Sequence, residues 1–475
     1  MAAQVTDGGI LQEPEPFSWR RIQVLIFACT LSMITYLDRV CFGVAAPQIA
    51  QELNLAGVAD LKWAFTAFAI AYAAFEVPTG WLGDRLGPRS MLIRIVLWWS
   101  ACTALTGLVG LKWGTWTLGG LGTMVFLRFL FGAGEAGAYP NITRAIYNWF
   151  PSRQWEMAQG YVWMSGRLMG GVTPFLWAML VSGTGSGTSL VTWRTAFLIF
   201  GLIGVIWCLL FRMLFRDRPE SDSNSPGLPV TEIPRHTHEA VPWKWLLTHR
   251  ELILLCLAYS FLNYGWAFNI TYLPGYLQQR FSDSGSPPLI AIYAGSPLWI
   301  GALGCLCGGY CVSWIDRRLQ NRRRSRKLLG TTAMLGCAVC WGVASQTTNL
   351  HLFCISVAAA AFCVDLTLGS AWATCQDIGR EHTAVAAAVM NTVGTLGAAL
   401  AVWLTGTLVQ QTVSQRAIQE NVTVAEMPEM LRQAAALEGF QFVFLTYIAI
   451  YVLAALCWMF LGVQARERTV SPIRQ

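Results

Sequence analysis

Apolar residues along the chain fall in long runs rather than in amphipathic stripes, and each run approaches the about 20 residues that a helix needs to cross a bilayer. The runs predict helices over 22–46, 61–83, 90–110, 117–140, 156–182 and 194–215. A second set follows over 251–275, 288–314, 328–346, 350–376, 384–410 and 439–463. A polar stretch of Asp, Pro, Ser, His and Glu from Arg216 to Arg250 separates the sets. The expected fold is all-α and polytopic, with 12 transmembrane helices in two six-helix bundles, 22–215 and 251–463. A cytoplasmic loop over 216–250 joins them, and tails over 1–21 and 464–475 flank them.

Basic residues set the orientation. With both termini in the cytoplasm, that side collects Arg20, Arg21, Arg85, Arg89, Arg153, Arg216, Arg250, the run from Arg317 to Lys327, and Arg380. The opposite side receives Lys62, Lys112, Arg280, Arg416, Arg432 and little else. Composition agrees: 55% of the 475 residues are apolar and 12% charged, whereas soluble domains average about 25% charged. The net charge of +7 reads as topology rather than as a nucleic-acid footprint, because the basic residues sit in short loops between spans. The polar first 20 or so residues carry no cleavable signal, so the first span is expected to act as its own insertion signal. The 14 cysteines are scattered through apolar stretches and read as small buried hydrophobes, not metal ligands.

The halves repeat. Gly80-Trp-Leu-Gly-Asp84-Arg85-Leu-Gly87-Pro-Arg89 closes the second helix, and Ser313-Trp-Ile-Asp316-Arg317-Arg318 closes the eighth. Pro151-Ser-Arg153 before the fifth helix is answered by Gly379-Arg380-Glu381 before the eleventh. The stretch from Gly80 to Arg89 resembles the loop signature of the major facilitator superfamily, in which it forms a conformational gate. Physically, Gly87 permits a tight turn, and Asp84 is placed to meet Arg85, Arg153 or helix N-termini of its own half.

Tyr36-Leu-Asp38-Arg39 in the first helix and Arg128-Phe-Leu-Phe-Gly132-Ala-Gly134-Glu135-Ala-Gly137-Ala-Tyr139-Pro140-Asn141 in the fourth resemble the anion:cation symporter family. That group includes bacterial hexuronate, glucarate and galactonate carriers and animal sialic acid and glutamate carriers. The resemblance implies that Arg39 contacts a substrate carboxylate and that Asp38 and Glu135 carry protons, with Arg128 as partner of Glu135. It also places Tyr36, Tyr72, Trp372 and Asn391 at positions that read substrate hydroxyls, the alternative for each being packing. The residues support this independently. A charge in mid-span costs at least about 2.5 kcal/mol and so faces a cavity or a partner, and Arg128 and Glu135, seven apart, share one helix face. Glu76 is either a third proton site or a packing acid.

Two charges depart from that pattern. Arg167 lies inside the fifth helix, where it adds a second cation for the substrate or pairs with Asp365 of the tenth helix as a gate. The substrate contact is the preferred expectation, since a second cation suits a dicarboxylate, sulfonate or hexuronate. Weaker signals carry nothing: His236, His238 and Glu239 in the linker read as a solvated loop, and no Gly-rich phosphate loop ends in Lys-Ser or Lys-Thr. The expected function is proton-coupled symport of a small organic anion, a sugar acid, by a monomer in a cell membrane, bacterial and inner. No catalytic residue, metal, cofactor or nucleic-acid partner is expected. Uniport, or exchange of other carboxylates without protons, is the alternative.

Overall fold

The computed structural model describes residues 19–55, 57–113, 116–182, 190–217, 241–281 and 285–462. Most of both tails and the middle of the linker, with His236, His238 and Glu239, lie outside the described residues. The first half holds α1 (Trp19–Glu52), α2 (Lys62–Leu86), α3 (Pro88–Thr106), α4 (Leu121–Glu135), α5 (Ala138–Trp149), α6 (Trp155–Trp177) and α7 (Trp193–Leu214). A short α8 (Trp243–Thr248) precedes the second half. That half holds α9 (Arg250–Thr271), α10 (Leu273–Phe281), α11 (Pro287–Leu319), α12 (Arg322–Gln346), α13 (Leu350–Asp365), α14 (Leu368–Gly379), α15 (Thr383–Gln419) and α16 (Glu429–Phe460). A two-residue hairpin pairs Lys112–Trp113 with Trp116–Thr117. Among the described residues, seven helical stretches are long and apolar enough to cross a membrane on length and composition alone.

Three of the expected continuous helices are broken, and the run expected over 251–275 passes from α9 into α10 at Tyr272. The run expected over 117–140 ends as α4 at Glu135 and resumes after a gap of two residues as α5, which reaches Trp149. Pro140 explains this break. It has no N–H for the Ala136 carbonyl and its ring crowds that carbonyl, so it is tolerated only in the first turn of a new helix. The run expected over 350–376 ends as α13 at Asp365 and resumes as α14. There Thr367 turns its N–H and hydroxyl back onto the Val364 carbonyl, at 3.1 and 2.8 Å. The breaks after α4 and α13 therefore leave an acid as the last residue of a helix. The repeat extends to the turns before α6 and α15, each a single 3₁₀ turn, Ser152–Gln154 and Arg380–His382.

Helices face outward with their apolar sides. On α7, Leu202, Ile206, Leu209 and Met213 are exposed while Gly201, Gly204, Cys208 and Phe211 are buried, the i, i+4, i+7 stripe of a helix whose solvent is lipid. Within the first half α1 packs on α6, α2 on α4 and α3 on α7; within the second, α9 packs on α15 and α16, α12 on α16 and α11 on α13. The halves meet through α6 against α11 and α14, and through α2 and α5 against α15. Small residues make those contacts close. A Cβ on Gly80 would lie 2.8 Å from both the Ala384 carbonyl oxygen and the Ala388 Cβ, so α2 and α15 nearly touch backbone to backbone.

That contact predicts a stability difference. Gly80→Val forces α2 off α15 and should cost about 1–3 kcal/mol, lowering the thermal midpoint of the purified protein in a thiol-dye melt. Gly43→Val, where an added Cβ meets nothing within 4 Å, should leave the midpoint in place.

Candidate functional site

Consecutive positions of α1 point to different surroundings, since neighbours on a helix diverge by about 100°. Tyr36 lies over α6, where Gly166 and Gly170 leave room for its ring; a Cβ on either would come within 2.9 Å of it. Asp38 is buried, and neither of its carboxylate oxygens has a hydrogen-bond partner among the described residues. Its charged neighbours are Glu135 and Arg128, and the Thr103 hydroxyl is close by. Arg39 turns toward α2 and α4. Its guanidinium lies 4.7 Å from the centre of the Tyr72 ring, and its Nε donates to Glu135 Oε1 at 2.9 Å. The arginine side chain keeps 29% of its surface exposed, whereas Glu135 is fully buried with a second oxygen that meets no donor.

The partner of Glu135 is therefore Arg39 rather than Arg128. Sharing a face is not sufficient for a pair: seven residues rise about 10.5 Å, and helical side chains lean toward the N-terminus, which carries Arg128 away from Glu135. The Arg128 guanidinium is instead buried among three rings, 4.2 Å from the centre of Phe42, 4.9 Å from Phe68 and 4.5 Å from Phe131. It acts on Glu135 and Asp38 through space.

A second group joins the halves beside it. Asn391 of α15 donates through its amide to Glu76 Oε1 and, at 3.2 Å, to the Tyr72 hydroxyl of α2; Thr392 reaches Glu76 Oε2 at 3.3 Å. Glu76 is fully buried. Trp372 of α14 is also fully buried, with ring centres 5.3 Å from Trp163, 5.9 Å from Tyr139 and 6.0 Å from Tyr259. Tyr139 stacks on Trp163 at 4.4 Å and meets the Ser32 hydroxyl at 2.9 Å. Of the residues expected to read hydroxyls, Tyr36 is the half-buried one, and Tyr72, Trp372 and Asn391 are covered.

Arg167 makes the cross-half pair that the sequence left as one of two options. Its Nε and Nη2 donate to the two oxygens of Asp365 at 3.0 and 3.1 Å, a fork-on-carboxylate geometry, and its Nη1 donates to the Tyr36 hydroxyl at 3.1 Å. The guanidinium lies 3.6 Å from the centre of the Trp266 ring on α9. A Cβ on Gly301 would sit 2.4 Å from Asp365 Oδ2, so α11 approaches as closely as glycine permits.

At the end that carries the basic loops, Asp84 accepts hydrogen bonds from the backbone N–H groups of Ala384 and Val385, at 3.1 and 2.9 Å, in the first turn of α15. Sequence reasoning placed Asp84 opposite groups of its own half. It binds the helix N-terminus of the other half, where the dipole favours an anion, with Arg144 at 3.4 Å. Arg144 also donates to the carbonyls of Arg380 and Glu381. Gly83 lets Asn141 lie against α2, Gly87 takes φ +85° between α2 and α3, and Arg89 bonds Asp217 Oδ1 through its N–H at 2.8 Å. Arg85 lies over the Trp81 ring at 5.5 Å.

A second clasp at this end escaped the sequence. Glu156, at the start of α6, binds Arg326 of α12 at 2.7 Å and also Arg322, and Arg326 holds Asp377 of α14. Arg322 and Arg326 had been read only as part of a basic loop. An acid in the first turn of an apolar span was the available signal.

A family model described as Major Facilitator Superfamily matches residues 28–402. The chain belongs to the Major Facilitator Superfamily. A probable sulfoacetate transporter of Cupriavidus necator is 31% identical over 384 residues, covering 78% of this chain and 83% of that protein. The hexuronate transporter of Bacillus subtilis is 28% identical, covering 83% and 90%, and a probable L-galactonate transporter of Escherichia coli is 26% identical, covering 82% of each. These relatives match the anion:cation symporter branch expected from Tyr36 to Asn141. In fold the transporter resembles an outward-facing bacterial homologue of the iron transporter ferroportin, TM-score 0.63 at 14% identity over 92% of this chain and 98% of that one. It also resembles an inward-facing bacterial homologue of the lysosomal transporter Spinster, TM-score 0.61 at 18% identity over 94% and 98%. The protein is thus a multi-pass membrane transporter and not an enzyme.

The second clasp generates a prediction for this transporter. Glu156→Gln leaves Arg322 and Arg326, only 9% and 4% exposed, without their shared anion, and removing one partner of a buried pair costs about 3–5 kcal/mol. In thermal melts, Glu156→Gln combined with Arg326→Gln should lose less than the sum of the single losses. Additive losses would show that the clasp does not bind the halves together.

Proposed function

We propose that this transporter moves a small organic anion, a sugar acid such as a hexuronate, aldonate or aldarate, together with protons by alternating access. The observation that carries the reading is the state of Arg39. It is the partly open cation of the mid-span cluster, and its sole ion-pair partner among the described residues, Glu135, is fully buried with one oxygen unbonded. A proton on Glu135 neutralises the acid and frees the guanidinium, whose planar fork then takes the substrate carboxylate in the same geometry. Loss of that proton restores the internal pair and ejects the anion. Asp38, whose carboxylate has no hydrogen-bond partner among the described residues and lies near Thr103 and within the field of Glu135 and Arg128, is the second station for the proton, and Arg128 biases both acids.

Tyr36, Tyr72 and Asn391 surround this exchange and read hydroxyl groups on the anion, while Trp372 supports the aromatic layer behind them. Counting α4 with α5, α9 with α10 and α13 with α14 as single crossings supports 12 transmembrane helices, which we read as bundles over 22–215 and 251–463 with both termini in the cytoplasm. The clasps at Asp84 and Glu156 then lie on the cytoplasmic side, and this form is closed there. Gly80, Asp84, Arg85, Gly87 and Arg89 are the hinge and latch of that gate, and one chain holds the whole site, so a monomer suffices. The relatives, named for hexuronate, galactonate and sulfoacetate, support an anion as cargo.

Two variants test the coupling in proteoliposomes. Arg39→Lys keeps the charge but loses the fork, and uptake of labelled hexuronate or aldonate should fall at least tenfold; near-normal uptake would take Arg39 out of the site. Glu135→Gln imitates the protonated acid. It should still bind substrate and exchange it between equal pools, yet fail to concentrate it under an inward proton gradient. Accumulation that survives in Glu135→Gln assigns coupling to Asp38 alone, and accumulation by the wild type that ignores the gradient favours uniport or exchange.

A further inference from the structure

Two of the broken helices set the same chemistry at equivalent places in the repeat. α4 ends on Glu135, three residues before the start of α5, and α13 ends on Asp365, three residues before the start of α14. An acid at the last residue of a helix faces the negative end of the helix dipole, and both acids are fully buried. Each is held by an arginine from another helix, Arg39 of α1 in one case and Arg167 of α6 in the other. The two guanidiniums are linked by one side chain. Tyr36 accepts a hydrogen bond from Arg167 at 3.1 Å, and Arg39 acts on the same tyrosine as a charged neighbour.

We propose that Arg167 and Asp365 form a second anion subsite that works by exchange, in which a second acidic group of the substrate takes the place of the Asp365 carboxylate on Arg167 and Asp365 departs carrying a proton. The inference rests on the reading of Arg39 as the first anion site. Before binding, Arg167 is neutralised by ionised Asp365; afterwards it is neutralised by the substrate's second anion, and Asp365 holds a new O–H bond. The net charge of the layer is the same in both states. The proton enters with the substrate from the same side, so a dianion travels with one more proton than a monoanion.

The surroundings of Asp365 leave the proton as the replacement for Arg167. The titratable groups that face the pair are Tyr36 from α1, Cys305 from α11, Tyr259 from α9, Cys337 from α12 and Tyr451 from α16. None of these is a cation. Trp266 covers the guanidinium face, and Gly301 seals the carboxylate from α11. An ionised Asp365 released from Arg167 would stand alone in a dry site, which is strongly unfavourable. Because α6 and α13 belong to different halves, the exchange also loosens a bond between the halves as the second anion arrives.

The test uses the full-length protein in proteoliposomes with D-galactonate, one carboxylate, and galactarate, two carboxylates on the same carbon chain. Proton-to-substrate ratios come from reversal of flux against imposed pH gradients. Galactarate is expected to move with one proton more than galactonate. Single changes at Arg167 or Asp365 strand a buried charge and are expected to fold poorly, so the variant is the charge-neutral double, Arg167→Gln with Asp365→Asn. It should lower the ratio of galactarate to galactonate affinity at least tenfold and abolish the difference in proton count. Equal proton counts in the wild type, an unchanged affinity ratio in the double variant, or galactonate transport with no binding of galactarate would each overturn the proposal while leaving Arg39 as the anion site. Failure to bind either anion overturns the sugar-acid reading and this proposal together.

Discussion

A carboxylate inside this bundle has to be matched by an arginine or by a proton, because neither lipid nor packed side chains can solvate it. The mid-span layer holds the acids Asp38, Glu76, Glu135 and Asp365 and the arginines Arg39, Arg128 and Arg167. Acids outnumber cations by one, and Arg128 makes no ion pair with any of them, held instead by three aromatic rings. Glu76 has an amide and hydroxyls as its hydrogen-bond partners. Such a layer balances only when protons occupy some of the acids. The same deficit makes the helices dependent on one another, since Glu135 ends α4 but is neutralised from α1, and Asp365 ends α13 but is neutralised from α6.

Close backbone approach is what lets the pairs stay dry. Gly166 and Gly170 admit Tyr36, Gly301 admits Asp365, and Gly80 brings α2 against α15. Without a hydrophobic driving force between helices in lipid, such contacts gain their energy from dispersion and from the polar groups they shield. Glycine thus serves two ends here: it packs the helices, and it excludes the water that would otherwise screen each ion pair and make it exchangeable at little cost.

Much of the fold was legible in the sequence because lipid imposes long apolar runs, and the predicted edges lie close to α2, α3 and α7. The motif residues were legible as well, since Asp84, Arg39 and Glu135 are charges where charge is costly. What the sequence concealed was pairing. Spacing fixes the face of a helix but not the neighbour across it, so Arg128 was assigned to Glu135 when Arg39 holds that acid. Asp84 was assigned to its own half when it caps α15. Glu156 was read as the edge of a span because its partners, Arg322 and Arg326, lie 166 and 170 residues away. The breaks were partly readable: Pro140 announces the one after α4, whereas the one after α13 rests on a Thr367 turn that propensity alone does not require.

The two levels at which charge joins the halves differ in what can open them. The clasps at the basic-loop end, through Asp84 and Glu156, lie at helix termini, where water enters as soon as the helices part and can hydrate the freed groups. Separation there lets water hydrate the freed groups instead of leaving them stranded. The mid-span pair of Arg167 and Asp365 has no such route, because Trp266, Gly301 and Tyr36 close around it. Its groups can part only if something else supplies the missing charge, an anion for the arginine and a proton for the acid. On the proposed mechanism, substrate and proton do at the centre what water does at the end. Under that mechanism the carrier resists opening while empty and unprotonated, and it becomes mobile when the central layer has exchanged an internal anion for an external one.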